Sequence, residues 1–163
     1  MGGTPTQDVL VLGLGNTLLA DDGVGVHVVR RLAEAPAAPP GLRMLDGGTL
    51  GFRLMHEITR AQAVIVVDAA QLGERPGTVR LLHQQTLTDH VSRGGRMSAH
   101  EAGLVDLLTL ARLEGWAPVR LALLGIQPKI VDWGDRLSLS VSRALPVACR
   151  AVIRTARAWQ MAA

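Results

Sequence analysis

The stretch VLVLGLGNTLLADDGVGVHVVRRL, residues 9–32, decides how the rest of the chain is interpreted. It begins as a strand-like apolar run, breaks into glycines, and reaches two adjacent acids before a helix-like repeat. Val24, Val28 and Leu32 recur at i, i+4 and i+8, which is typical of a helix with one buried face. A strand, a glycine turn and a helix also open a nucleotide-binding unit, so the two acids need an explanation.

The glycine turn, GLGNTL at residues 13–18, supplies only two glycines of the dinucleotide-binding fingerprint, because Leu18 stands where the third would be. In that fingerprint the pyrophosphate lies at the amino end of the helix. Asp21 and Asp22 lie where this helix is expected to begin, and two carboxylates there would repel a pyrophosphate. The acids favour two other interpretations. One is a helix N-cap, for which a single aspartate suffices, and the other is a cation site.

Length and composition favour a single globular domain spanning residues 1–163, with 48% hydrophobic and 19% charged residues. The pI of about 10.4 is weak evidence for nucleic-acid binding, because the net charge is only +3 and the chain has no Tyr and a single Lys. Its arginines are scattered rather than clustered. No apolar run approaches the roughly 20 residues that span a bilayer, and no secretory signal pattern opens the chain. We therefore predict a cytoplasmic protein with neither nucleic-acid nor membrane partners.

Strand and helix patterns alternate along the chain, which predicts an α/β layered sandwich. The predicted strands are 8–15, 42–46, 63–69, 78–83 and 119–126, and the predicted helices are 23–35, 50–60, 98–115 and 139–159. The last helix is expected to tolerate Pro146 only as an early kink or as its start. The polar stretch 84–97 is predicted to be an exposed loop. Cys149, among Ala and Val at helical spacing, is interpreted as a small buried hydrophobe rather than a nucleophile.

Two further acids end predicted strands. Asp68 follows the apolar run AVIVV, and ligands of open α/β sheets bind outside the carboxyl ends of the strands. The alternative for Asp68 is a loop-capping role. Asp46 has the same placement after the second strand, although a turn-forming aspartate before two glycines explains it as well.

His100 is the histidine with the most informative context. The segment SAHE forms a capping box, with Ser98 as N-cap, so His100 falls in the first helical turn. The positive end of the helix disfavours protonation, and neutral imidazole is the form that binds a metal. Asp22, Asp68 and His100 should therefore converge at one sheet edge as an open three-ligand site for a divalent cation, although their spacing alone is not diagnostic.

Four segments of the chain are informative together: VLGLGNTLLADDGVGVHVVRRL, LDGGTLG, VIVVDAA and SAHEAGLVDLL. In their order and at similar spacing they resemble the hydrogenase maturation proteases, the endopeptidases that process the large subunit of nickel–iron hydrogenases. The likeness runs from about Leu10 to Leu124. The resemblance implies a three-layer α/β/α sandwich around a five-stranded mixed, mostly parallel sheet, in which the strand TVRLLH is antiparallel to the others.

The resemblance also implies an activity, which is removal of a C-terminal extension from the large-subunit precursor once nickel is installed. The family's catalytic and metal-binding set matches Asp22, Asp68 and His100. Its substrate-recognition segment matches Asp46, Gly47, Gly48 and Thr49. The nickel would be supplied by the precursor and used as a recognition handle, with other divalent metals able to substitute in vitro.

The chemistry of peptide-bond cleavage stays open at this point. A metal could polarise the carbonyl or lower the pKa of a bound water, or a carboxylate such as Asp68 could act as general base. A non-enzymatic nickel-binding accessory protein or chaperone for the precursor would use the same ligands. A nucleotide-binding module is a third alternative.

Overall fold

Five strands and four helices make up the part of the chain that the computed structural model describes, which is residues 8–35, 39–49, 53–83, 99–116, 118 and 120–162. The side chains at positions 53 and 99–103 lie outside this description. The strands are β1 (Val9–Leu14), β2 (Leu42–Gly48), β3 (Ala63–Ala69), β4 (Val79–His83) and β5 (Arg120–Ile126). The helices are α1 (Val24–Ala33), α2 (Arg53–Arg60), α3 (Ala99–Leu113) and α4 (Leu139–Met161), and a 3-10 turn (Ala20–Gly23) precedes α1.

The strands form one sheet in the order β2-β1-β3-β5-β4. All neighbours pair in parallel except β4, which is antiparallel to β5. The expected mixed, mostly parallel sheet is therefore confirmed. Every residue of the central strand β3 is buried, as its continuous β-branched run predicts for a strand covered on both faces.

Successive residues of a strand point to opposite sides of the sheet, so both faces carry apolar side chains. Helices cover both of these faces. Helices α1 and α4 pack on one face and α2 and α3 on the other, giving the three-layer sandwich that was expected. On β3, Ala63, Ile65 and Val67 belong to the α1–α4 core, and Val64 and Val66 belong to the α2–α3 core. Strands β1 and β3 pair in parallel between the two cores, so their carboxyl ends lie side by side. Asp22 and Asp68 lie at this edge of the sheet.

Helix α1 approaches the sheet so closely that its first turn admits no side chain at Gly25. A Cβ atom there would lie 2.1 Å from the carbonyl oxygen of Val67 and 2.4 Å from that of Leu14, and both neighbours are backbone atoms. Gly25 thus performs the close helix packing that the third glycine of a dinucleotide fingerprint performs elsewhere. The third glycine of that fingerprint would be at position 18, where this chain has Leu18, so the glycine that allows the close packing lies seven residues later here.

Gly25→Ala is therefore expected to destabilise the protein by about 1–3 kcal/mol, because an atom is forced into a filled space. Thermal unfolding should detect this as a midpoint lowered by roughly 2–4 °C for each kcal/mol. Gly134→Ala is the matched control, since the nearest atom to its Cβ would be 3.7 Å away, at ordinary contact distance. Equal midpoints for the two variants would contradict the close approach of α1.

Helix α4 begins at Leu139, as predicted, and continues through Pro146, so of the two alternatives for Pro146 only that of a helix start is wrong. One element boundary needs correction. Strand β2 includes Gly47 and Gly48, which the sequence assigned to a turn, and its register with β1 shifts between Gly13 and Leu14. The predicted loop 84–97 lies outside the described residues. In the described part of the chain, no helix combines the length and apolar character required to cross a membrane.

Candidate active site at the carboxyl edge of the sheet

The 3-10 turn carries Asp22 directly over the end of β1. This position requires a glycine at residue 15. Gly15 has a φ of 128°, which residues with a side chain rarely adopt, and a Cβ atom there would lie only 1.9 Å from the Asp22 carbonyl oxygen. The Asp22 side chain is oriented by the Asn16 N–H, which donates to its Oδ2 at 2.9 Å. Asp22 is buried, with 8% of its surface exposed.

The helix-capping explanation for the two acids is wrong. The N-cap of α1 is Gly23, and no side chain caps that helix. The nucleotide-binding alternative is also weakened, because two buried carboxylates precede the first turn of α1, where a pyrophosphate would need free amide donors. The two acids of the turn have separate roles: Asp21 binds a neighbouring loop, and Asp22 is a candidate site residue.

Asp21 ties the loop 127–138 to the 3-10 turn. Its fully buried carboxylate accepts hydrogen bonds from the N–H groups of Lys129 (2.8 Å), Ile130 (2.9 Å) and Ser138 (2.6 Å), and from the Ser138 hydroxyl (2.8 Å). Burial alone would raise the pKa of Asp21, but these hydrogen bonds outweigh it and hold the pKa below its ordinary value. Ser138 is the N-cap of α4, so Asp21 also anchors the start of that helix.

Asp68 lies at the carboxyl end of β3 and is fully buried. Its Oδ1 accepts a hydrogen bond from the Ala69 N–H at 2.8 Å. Strand alternation puts Asp68 on the same face as Val64 and Val66, which is the face covered by α2 and α3. The 3-10 turn that carries Asp22 contacts β3, so two acidic segments meet at this edge.

His100 belongs to the first turn of α3, but its side chain, like the proposed N-cap Ser98, lies outside the described residues. The other end of the helix lies near the amino end of β3, because the Trp116 indole N–H donates to the Ala61 carbonyl oxygen at 3.1 Å. The 15 residues of α3 span about 22 Å. This length is about that of the seven-residue strand β3, so α3 is long enough to reach from the amino edge to the carboxyl edge.

A complete metal site is not assembled by the side chains that the structure describes. Among them, no group of three or more His, Cys, Asp or Glu residues could hold a metal ion. The candidate set has three members and includes His100, whose side chain is outside that description. The metal-ligand assignment therefore stays a prediction.

Asp46 makes the side-chain-to-backbone hydrogen bond of a turn-forming aspartate, although the two glycines after it belong to β2. Its Oδ1 accepts from the Gly48 N–H at 3.1 Å, and its Oδ2 accepts from Nε and Nη2 of Arg30 at 3.1 and 2.9 Å. The Gly48 carbonyl oxygen in turn accepts from the Gly15 N–H at 3.0 Å. The segment 46–49 is thus bonded to the glycine turn that supports Asp22, and its partly exposed acid lies at the same edge.

Cys149 lies away from this chemistry, as expected. Its half-buried Sγ contacts the Val28 carbonyl oxygen at 4.0 Å. Burial raises the pKa of the thiol, which keeps it protonated and unreactive near neutral pH.

The fold and its edge define a class: a three-layer α/β/α protein with an acidic site at the carboxyl ends of its central parallel strands. A family model described as hydrogenase maturation protease matches residues 26–155. The hydrogenase expression/formation protein HupD of Rhodobacter capsulatus is 40% identical over 94% of this chain and 73% of its own. The hydrogenase 2 maturation protease of Escherichia coli is 31% identical over 91% of this chain and 90% of its own.

Solved structures agree with these relatives. The hydrogenase maturating endopeptidase HybD from E. coli superimposes with a TM-score of 0.83 at 30% identity, covering 93% of each chain. The hydrogenase maturation protease HybD from Thermococcus kodakarensis gives a TM-score of 0.77 at 29% identity, covering 92% of this chain and 99% of its own. The chain belongs to the hydrogenase maturation protease family, and it is a peptidase.

Proposed function

We propose that this peptidase removes the C-terminal extension of a nickel–iron hydrogenase large-subunit precursor after nickel insertion. In this proposal Asp22, Asp68 and His100 bind the nickel already seated in the precursor. The observation that carries the proposal is the arrangement of Asp22 and Asp68, two buried carboxylates on contacting segments at one sheet edge. A site in which the substrate contributes the cation would select precursor that has already received its metal.

The donor chemistry fits such a cation. Two carboxylate oxygens and one neutral imidazole suit a divalent ion of borderline softness and leave coordination positions for the precursor. The length of α3 supports the participation of His100, because a 15-residue helix whose other end lies near Ala61 is long enough to bring its first turn to the edge where Asp68 ends β3. The nickel arrives with the substrate, so the enzyme needs no resident ion, and other divalent metals should substitute in vitro.

Two routes for peptide-bond cleavage follow from these residues. In one, a carboxylate such as Asp68 accepts a proton from the attacking water as general base. In the other, the metal polarises the scissile carbonyl or lowers the pKa of a water. Asp68 is fully buried, so solvent and salt screen its charge little, and that charge acts strongly on a cation or a water that reaches it.

The segment Asp46, Gly47, Gly48 and Thr49 is proposed to recognise the precursor. Support comes from its position beside the glycine turn, to which Gly48 is hydrogen-bonded. The ion pair of Asp46 with Arg30 is partly exposed and therefore weak, so an incoming chain can displace it at little cost.

The test is to incubate the protein with nickel-loaded precursor and to measure the precursor's mass. We expect loss of a single C-terminal peptide. Nickel-free precursor should remain intact, because it presents no cation to the carboxylates. A stable complex with intact, nickel-loaded precursor would instead support a non-enzymatic chaperone and would overturn the proposed cleavage.

A further inference from the structure

Four exposed apolar side chains lie on two segments next to the turn that carries Asp22. We call them the apolar shelf, which consists of Leu18, Ile130, Val131 and Trp133. They are 57%, 45%, 53% and 81% exposed, respectively. Large apolar side chains that are grouped at a protein surface mark interaction sites more often than scattered ones do.

Backbone hydrogen bonds join the two segments that carry the shelf residues. The Gly134 N–H donates to the Leu18 carbonyl oxygen at 2.9 Å, and the Ala20 N–H donates to the Gly134 carbonyl oxygen at 2.8 Å. The Asp21 N–H donates to the Ile130 carbonyl oxygen at 3.1 Å. Because the Asp21 carboxylate binds the same loop from the inside, the shelf has a fixed position relative to the 3-10 turn.

The shelf is joined to the turn that carries the candidate residue Asp22. Asp22 is the next residue after Asp21 and belongs to the same four-residue turn. A polypeptide bound with a peptide bond near Asp22 therefore has an apolar surface within a few residues of that bond. The charged residues in this loop are Lys129, Asp132, Asp135 and Arg136, which are all exposed. Their charges sum to zero, so the loop favours neither an acidic nor a basic partner.

We propose that the apolar shelf is the docking surface for an apolar stretch of the hydrogenase precursor next to the scissile bond. The proposal rests on the proposed function, because it requires the precursor as substrate. A peptide segment fits the shelf better than a second copy of the chain does, since stable protein–protein interfaces use about 20–30 residues on each side. Trp133 is the main anchor, because a rigid aromatic side chain buries a large area at little entropic cost.

The test compares Trp133→Ser with wild type on nickel-loaded precursor. We expect KM and the dissociation constant of the precursor to rise roughly 30-fold, as for a strong interface anchor, while kcat at saturation is unchanged. Leu113→Ser is the matched control. Leu113 is 80% exposed but ends α3, next to the segment that Trp116 bonds to the amino end of the sheet, so we expect no change.

A second arm identifies the occupant. Serine substitutions of apolar precursor residues next to the cleavage point should weaken binding to wild type but add little in Trp133→Ser. Equal precursor affinities for wild type, Trp133→Ser and Leu113→Ser would overturn the shelf. So would a wild-type dimer that the Trp133 substitution dissociates. Failure of the proposed function is a distinct result, in which the wild-type protein leaves nickel-loaded precursor uncut whatever its affinity.

Discussion

Asp68→Asn is expected to lower the rate of precursor cleavage by roughly 10²–10⁴-fold, which is the contribution of a positioned acid–base group. Asparagine has nearly the same shape, and its Oδ1 can still accept the hydrogen bond that Ala69 N–H donates at 2.8 Å. What is lost is the negative charge at the end of β3, which both proposed cleavage routes require. The variant should remain folded, as a cooperative thermal transition would show, so that its loss of activity is not a loss of structure.

Asp22→Asn and His100→Ala should reproduce this loss of cleavage, because all three residues are assigned to one site. Cys149→Ser serves as the control. Its thiol is half-buried against α1 and has no assigned chemistry, so processing should be normal. Single-turnover cleavage followed by mass measurement gives the rates. Full activity of Asp68→Asn, in a protein that unfolds like wild type, would argue against the assignment of that carboxylate.

Asp21→Ala is expected to have the largest effect on stability, about 3–5 kcal/mol, because it leaves buried donors without their carboxylate. Three N–H groups and one hydroxyl of the loop 127–138 converge on Asp21. Thermal unfolding should show a midpoint lowered by about 10 °C. Asp135→Ala, at an exposed acid of the same loop, is the control and should leave the midpoint unchanged. Equal midpoints for the two variants would show that Asp21 does not hold the loop.

The same residue makes a prediction about pH. The pKa of Asp21 is lowered in the folded protein, so the ionised form is bound more favourably there than in the unfolded chain. Its contribution to stability is complete above the unfolded pKa of about 3.9 and is lost as pH falls through the lower, folded value. The difference in unfolding free energy between wild type and Asp21→Asn, measured by denaturant titration, should be constant near neutral pH and shrink below about pH 4. A difference that grew in acid would contradict the lowered pKa.

The strands and most of the helices could be predicted because their signals are local. The run 63–69 is buried on both faces, as its unbroken apolar pattern indicated, and Val24, Val28 and Leu32 form the buried face of α1. The carboxyl-edge position of Asp68 follows from topology alone, since parallel strands end at the same edge. The antiparallel β4, by contrast, was predictable only from the family resemblance.

Features that depend on distant partners could not be predicted. The groups that bind Asp21 lie 108–117 residues further along the chain, so no spacing near Asp21 marks them. Gln127 is a similar case: its buried amide accepts from Leu72 N–H at 2.7 Å and donates to the Gln71 side chain at 3.0 Å, joining two loops at the edge. Of the two alternatives for Pro146, a helix start is excluded, because the packing of a 23-residue helix outweighs the loss of one backbone hydrogen bond.

The most direct measurement of the central claim is anomalous diffraction from crystals soaked in nickel, recorded on both sides of the nickel absorption edge. We predict one strong peak at the carboxyl edge, with oxygens of Asp22 and Asp68 and a nitrogen of His100 each about 2.0–2.2 Å away. The peak should vanish in Asp68→Asn crystals. Nickel bound elsewhere, or these three side chains facing different parts of the surface, would contradict the account.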